Sequence, residues 1–177
     1  MTDRRISRHP LVPTVEAAVA AGVDWVQVRE KDLEGGALCD LVAEIAAAAR
    51  RGAAARDGEV RVLVNRRTDV ALAAEADGVH LGFDAVAARD ARRLLGTAKL
   101  VGASCHDAAA VGAAAEAGAS YAHLAPVFEP RSKRSAAPPL GTAAVAAAAR
   151  RGLPILAQGG ITAENARAAL DAGAAGV

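Results

Sequence analysis

Six short stretches of this 177-residue chain stand out, all but the apolar Pro126-Val127-Phe128 carrying side chains able to hold anions or move protons: Gln27-Val28-Arg29-Glu30-Lys31-Asp32, Asn65-Arg66-Arg67, His80-Leu81-Gly82, Ser104-Cys105-His106, Pro126-Val127-Phe128 and Gln158-Gly159-Gly160-Ile161. In the first, Gln27, Arg29 and Lys31 alternate, so an extended backbone turns all three to one side. Two cations and an amide on one face suit a phosphate or diphosphate, with Arg chelating two oxygens at once. The same run also reads as a surface strand end whose cations pair with Glu30 or Asp32. Gly159-Gly160-Ile161-Thr162-x-Glu164-Asn165 has the form of a strand, a glycine turn and a helix start, where backbone N–H groups hold phosphate. Thr162 equally suits a plain helix cap. His106 is a proton shuttle by type, because imidazole titrates near neutral pH; its bland alternative is a strand-end histidine bonded to backbone. His80 and His123 lie amid apolar residues and read as packing groups or groups behind the site. Cys105, His106 and Cys39 have no ligand spacing that would hold zinc.

Positioning these groups requires strands that all end on one side. Apolar, largely β-branched runs at residues 23–29, 60–65, 77–82, 100–105, 120–127 and 154–159 alternate with alanine-rich helical stretches near 10–21, 37–55, 69–76, 85–95, 108–117, 142–151 and 164–172. Strand–helix–strand alternation with near-continuous apolar strands predicts an α/β fold with a parallel sheet. In such folds ligand groups collect at the carboxyl ends of the strands, which is where all six stretches fall. Helices are expected to end at Gly22, Gly78, Gly118 and Gly173, each in a small-residue junction that leads into a strand. The pairs Arg50-Arg51, Arg92-Arg93 and Arg150-Arg151 read as solvated helix ends that oppose the macrodipole.

Composition narrows the field. The length suits one domain spanning residues 1–177 with a sizeable core. A net charge of +1 and an aromatic content of 2% argue against nucleic acid or anionic membrane as partner. The chain has no apolar run long enough to span a bilayer. Met1-Thr2-Asp3-Arg4-Arg5 is polar and lacks the apolar core of a secretory signal. Two cysteines make no disulfide framework. The expectation is a cytoplasmic protein.

At the level of its motifs the chain resembles the thiamine phosphate synthase/thiazole tautomerase superfamily. The likeness runs from Thr2-Asp3-Arg4 to the last residue. It is carried by Val26-Gln27-Val28-Arg29-Glu30-Lys31-Asp32, by Val64-Asn65 through His80-Leu81-Gly82, by Gly102-Ala103-Ser104-x-His106, and by Pro126-Val127-Phe128 with Ser132-Lys133 followed by Gly159-Gly160-Ile161-Thr162-x-Glu164-Asn165. The resemblance implies a TIM (β/α)8 barrel, clipped in this chain at strands one and eight, which are neighbours in a closed barrel and would leave two edges exposed. It implies a transferase that condenses hydroxymethylpyrimidine diphosphate with thiazole phosphate to give thiamine phosphate and diphosphate. Gln27, Arg29, Lys31, Asn65, Ser104 and Lys133 would hold the pyrimidine diphosphate. Pro130, Arg131, Ser132 and Gly160 would meet the thiazole phosphate. The partners are then small phosphorylated molecules, with a homo-oligomer left open.

Departures from the family pattern bear on the cofactor. Synthases of this family use Mg2+, held by a carboxylate after the Asn and by a second one after the His-x-Gly strand. Here those positions are Arg66 and Ala85, with Asp84 one residue early as the remaining metal candidate. This raises the alternative of a thiazole tautomerase, which needs no metal and would use His106 as its catalytic group. The intact Gln27-x-Arg29-x-Lys31 run favours the synthase. A non-catalytic relative is the third reading.

Overall fold

The computed structural model describes residues 1–130 and 138–177. It divides into two compact units, Met1–His80 with Leu94–Leu100, and Leu81–Arg93 with Val101–Val177.

The first unit contains helix α1 (Leu11–Ala20), strand β1 (Trp25–Val28), helix α2 (Gly35–Ala54), strand β2 (Arg61–Asn65), helix α3 (Thr68–Ala73) and most of strand β3 (Gly78–Leu81). The three strands are parallel in the order β1-β2-β3, with Gln27 opposite Leu63 and Asn65 opposite His80. Val62, Leu63 and Val64 are all buried, as expected of a strand covered on both faces. On α2, Leu38, Val42, Ile45, Ala49 and Ala53 recur at helical spacing and are buried, giving the stripe that a surface helix turns inward. Arg51 of α2 bonds Glu16 of α1 at 2.6 Å, tying the two helices at their exposed faces.

The second unit holds most of helix α4 (Ala88–Leu95) and of strand β4 (Leu100–Cys105), then helix α5 (Ala108–Glu116), strand β5 (Tyr121–Leu124), helix α6 (Gly141–Ala149), strand β6 (Ile155–Ala157) and helix α7 (Ala163–Asp171). Strands β4, β5 and β6 pair in parallel, with Ser104 opposite His123. Gly176 adds an isolated parallel bridge to Leu156. The core here is built from small groups, including Val111, Ala114, Leu124, Val145, Ala148, Ile155 and Ala169. Alanine lets helices sit close to the strands while losing no side-chain entropy.

All six strands lie within the stretches the sequence predicts, and most are trimmed at their polar ends. The largest difference is at β5, which stops at Leu124 rather than running to 127. Pro126 has no N–H for the ladder, and Val127 and Phe128 instead donate to the carbonyls of Gln158 and Gly159. Gly22, Gly118 and Gly173 take positive φ directly after helices, as expected, but Gly78 does not. The left-handed residue after α3 is Glu75, at φ 51°. Gly78 lies inside β3, where a Cβ would stand 2.1 Å from the Leu100 carbonyl oxygen. Its glycine is required by close backbone approach rather than by a helix end. Arg92 also departs from a solvated reading. It is half-buried, and donates to the Gly118 carbonyl at 2.9 Å and to Ser120 Oγ at 2.7 Å.

Candidate active site

Strand β1 ends at Val28, so only Gln27 of the alternating trio is on the strand itself. Gln27 is buried, Arg29 half-buried and Lys31 exposed in the turn that follows. Arg29 and Lys31 thus follow the strand rather than lying on it. Gln27 Nε2 donates to Asn65 Oδ1 at 3.2 Å, joining two sequence stretches 38 residues apart on one side of the β1–β2 pair. The carboxylates beside the cations are taken by neither Arg29 nor Lys31. Arg4 reaches Glu30 at 3.3 Å and Asp32 at 2.8 Å. The Arg4 guanidinium holds the Asp32 carboxyl below its usual range.

A cleft of about 230 Å³ opens at these strand ends, lined by Glu30, Lys31, Asn65, Arg66 and Arg67 with Leu33 and Leu38 as apolar walls. Arg66 is half-buried at φ 65°, a conformation that costs a non-glycine residue energy and tends to occur at functional positions. Its backbone N–H donates to the His80 carbonyl at 2.8 Å, which fixes the turn. Arg67 forks onto Asp69 at 2.8 and 2.5 Å and pulls that carboxyl down to about 2. His80 itself is buried, as its apolar neighbours predict.

In the second unit, the strand-end groups of β4 and the β5–α6 connection come together. Ser104 is half-buried on β4, and His106 lies exposed just beyond it. His106 Nδ1 bonds the Ala125 carbonyl at 2.5 Å. A carbonyl only accepts, so Nδ1 carries the proton and Nε2 is the basic nitrogen of the neutral ring. Phe83 stacks on this imidazole with centroids 4.5 Å apart. Burial pushes the Cys105 thiol up to about 11, which leaves it protonated and unreactive at neutral pH. His123 tilts against buried Tyr121, and burial lowers its imidazole to about 4.

The glycine turn is built as tightly as its sequence suggests. Gly160 has φ 65°, and a Cβ there would lie 2.4 Å from the Glu129 carbonyl oxygen; one on Gly159 would lie 2.7 Å from Pro126. The Pro126–Glu129 segment therefore passes directly against Gly159-Gly160, and Pro130, which follows it, is half-buried. Asn165 holds the turn from the helix side. Its Oδ1 accepts from the Thr162 N–H at 2.7 Å, and its Nδ2 donates to the Gly160 carbonyl at 2.9 Å. Thr162 and Asn165 form a capping box for α7, so the capping role weighed for Thr162 is realised. Arg131, Ser132 and Lys133 lie outside the described residues.

For a divalent metal, the residues at the two positions named above are a guanidinium and a methyl group. Asp84 is exposed in the turn after β3, and among the described residues no group of three or more His, Cys, Asp or Glu side chains could hold an ion. Three groups of the site region escaped sequence reasoning: Thr2 and Arg4, which grip the Gln27–Asp32 run, and Phe83, which stacks on His106. Only tertiary proximity reveals them, although Thr2-Asp3-Arg4 stood within the recognisable pattern.

Parallel strands alternating with helices, with polar and glycine-rich stretches after the carboxyl ends of the strands in each unit, define an α/β protein of TIM-like kind. A family model described as thiamine monophosphate synthase matches residues 1–177, and the chain belongs to that family. A thiamine-phosphate synthase of Anaeromyxobacter dehalogenans is 42% identical over 165 residues, covering 93% of this chain and 71% of the relative. One from Methanoculleus marisnigri is 40% identical over 179 residues, covering 100% of this chain and 82% of the relative. Among solved structures, thiamine phosphate pyrophosphorylase from Pyrococcus furiosus superposes with a TM-score of 0.83 at 27% identity, over 98% of this chain and 80% of that one.

Proposed function

We propose that this chain is a thiamine-phosphate synthase acting on hydroxymethylpyrimidine diphosphate and thiazole phosphate. The bond from the pyrimidine methylene to the diphosphate oxygen breaks, a bond from the methylene to the thiazole nitrogen forms, and diphosphate leaves with the electron pair. Because the aminopyrimidine stabilises the methylene cation, the protein's main task is to orient both substrates and neutralise the departing diphosphate. The observation that carries this reading is the Gln27–Asn65 contact at 3.2 Å, at strand ends whose cleft includes Lys31 and Arg66. Arg29, Ser104 and Lys133 complete the diphosphate-binding set in this reading. Gly160, Pro130, Arg131 and Ser132 serve the thiazole phosphate, supported by the packing of the Pro126–Glu129 segment on Gly160.

Mg2+ would supply further charge neutralisation in a synthase, but the residues at positions 66 and 85 do not fit its usual carboxylates. We assign that neutralisation to Arg66, whose guanidinium matches phosphate oxygens. Asp84 is the metal candidate that remains. We further infer that the six strands belong to a TIM (β/α)8 barrel and that residues 1–177 act as one domain; the support is the full-length family match and the TM-score of 0.83. Among the described residues no helix is long and apolar enough to cross a membrane, which is compatible with a cytoplasmic enzyme of small phosphorylated substrates.

The deciding experiment mixes purified protein with both substrates and measures thiamine phosphate and released diphosphate together. Equimolar appearance of the two supports the assignment, and absence of both overturns it. A thiazole tautomerase is the second reading, favoured by the bond that leaves His106 Nε2 basic. Proton transfer on a thiazole carboxylate phosphate, lost in His106→Ala and accompanied by no coupling, would establish it instead.

A further inference from the structure

The run that carries Arg29 and Lys31 is held by two residues near the start of the chain, Thr2 and Arg4. Thr2 donates its backbone N–H to the Gln27 carbonyl at 2.9 Å, and the Arg29 N–H donates to Thr2 Oγ1 at 3.0 Å. Thr2 thus occupies the open edge of β1 and brackets Val28, making one strand-like bond with its backbone and one with its side chain. The same hydroxyl donates to Glu30 Oε1 at 2.7 Å. The Arg4 backbone N–H points between the two Glu30 oxygens, at 3.1 and 3.0 Å, and Arg4 Nη1 adds a contact at 3.3 Å. The Arg4 guanidinium then forks onto Asp32 at 2.8 and 2.9 Å.

Glu30 is the centre of this arrangement. Its side chain is 1% exposed, a placement that is costly for a carboxylate unless donors surround it. Here a hydroxyl, a backbone N–H and a guanidinium do so. The residues tied down, Gln27, Glu30 and Asp32, alternate with or flank the two cations, whose side chains remain directed to other uses. A cation on an unrestrained turn loses conformational freedom when it binds an anion, and that loss weakens affinity. Fixing the backbone on both sides of Arg29 and Lys31 before binding removes much of it.

We infer that Glu30, gripped by Thr2 and Arg4, is a positioning residue that sets Arg29 and Lys31 for the diphosphate. The inference rests on the synthase reading for the identity of the substrate, but its test does not require turnover. Inorganic diphosphate is titrated calorimetrically into the parent and into Thr2→Val, Thr2→Ser and Glu30→Gln variants, and thermal midpoints are recorded alongside. Thr2→Val keeps the shape but deletes the hydroxyl that joins Arg29 to Glu30. Affinity for diphosphate should fall about tenfold in Thr2→Val, and similarly in Glu30→Gln. Thr2→Ser, which keeps the hydroxyl, should stay within about twofold of the parent. With both substrates, KM for the pyrimidine diphosphate should rise while that for thiazole phosphate stays constant.

A Thr2→Val protein that melts earlier yet binds diphosphate like the parent would show that the clamp is only structural, and would overturn the inference. A parent that binds no diphosphate overturns it as well. If Glu30→Gln does not fold, the Thr2→Val and Thr2→Ser pair decides alone. Normal diphosphate binding with the expected variant effects but no coupling would sink the synthase reading and leave the clamp intact.

Discussion

Gln27 Nε2 and Asn65 Oδ1 lie 3.2 Å apart across the β1–β2 pair, although the backbone partner of Gln27 is Leu63. The contact is diagonal, reaching one pleat ahead toward the carboxyl end of the strands. In this geometry the Asn65 carbonyl oxygen is occupied by Gln27, so the Asn65 NH2 group is the part directed to other acceptors. An amide aimed by its neighbour is suited to a diphosphate oxygen.

Removing that amide should weaken binding modestly, and removing a cation should weaken it more. Asn65→Ala should raise the dissociation constant for hydroxymethylpyrimidine diphosphate about fivefold, the worth of one neutral hydrogen bond. Arg29→Ala should raise it about 10- to 100-fold, since a charge-assisted contact is worth about 1.5–3 kcal/mol. Calorimetry on both variants checks this; unchanged affinity in both would remove the cleft from the site.

Arg66 makes the metal dependence of coupling diagnostic. With a guanidinium at this position, coupling is expected to be slow or to respond only weakly to Mg2+ and to excess chelator. Arg66→Asp should introduce Mg2+ dependence, and Asp84→Ala should matter little in the parent. Rates measured with metal and with chelator test this directly. Robust coupling that chelator abolishes in the parent would place the metal ligands elsewhere.

Gly160→Ala should be costly in two ways. The residue is left-handed, and its Cβ would meet the Glu129 carbonyl oxygen at 2.4 Å. We expect a loss of about 2–4 kcal/mol, the range for strain combined with steric conflict. A rise in KM for thiazole phosphate should accompany it. Chemical denaturation and steady-state kinetics check the two effects separately. An alanine variant as stable as its parent would contradict the turn geometry.

His123 gives the protein a pH dependence with a definite sign. Burial lowers its folded-state value to about 4 from 6.5, so the unfolded chain takes up the proton first as pH falls. The stability associated with the neutral ring is complete above about pH 6.5, declines below it, and is fully lost by about pH 4. At pH 5 the loss should be about 2 kcal/mol, taking each pH unit within that window as about 1.4 kcal/mol. Denaturation at pH 7 and pH 5 should show this loss in the parent and a smaller one in His123→Gln. Equal losses in the two proteins would assign the pH dependence to other groups.

Much of this fold is legible in the sequence itself. Strand and helix identities follow from local periodicity, because a buried parallel strand must be apolar along its length and a helix must carry one inward stripe. The polar stretches at strand ends, and the motifs they compose, are contiguous in sequence and so could be read from it directly. What sequence left open were choices made by contact. Glu30 and Asp32 were available partners for Arg29 and Lys31, yet Arg4 takes both, because Thr2 on the edge of β1 brings it there. Gly78 looked like a helix-ending glycine, yet it serves a strand because the Leu100 carbonyl leaves no room for a Cβ. Phe83 carried no signal until it lay on His106. Local pattern is fixed by the chemistry of neighbouring residues, whereas these pairings connect residues 22 to 28 positions apart and exist only once the backbone has folded to bring them together.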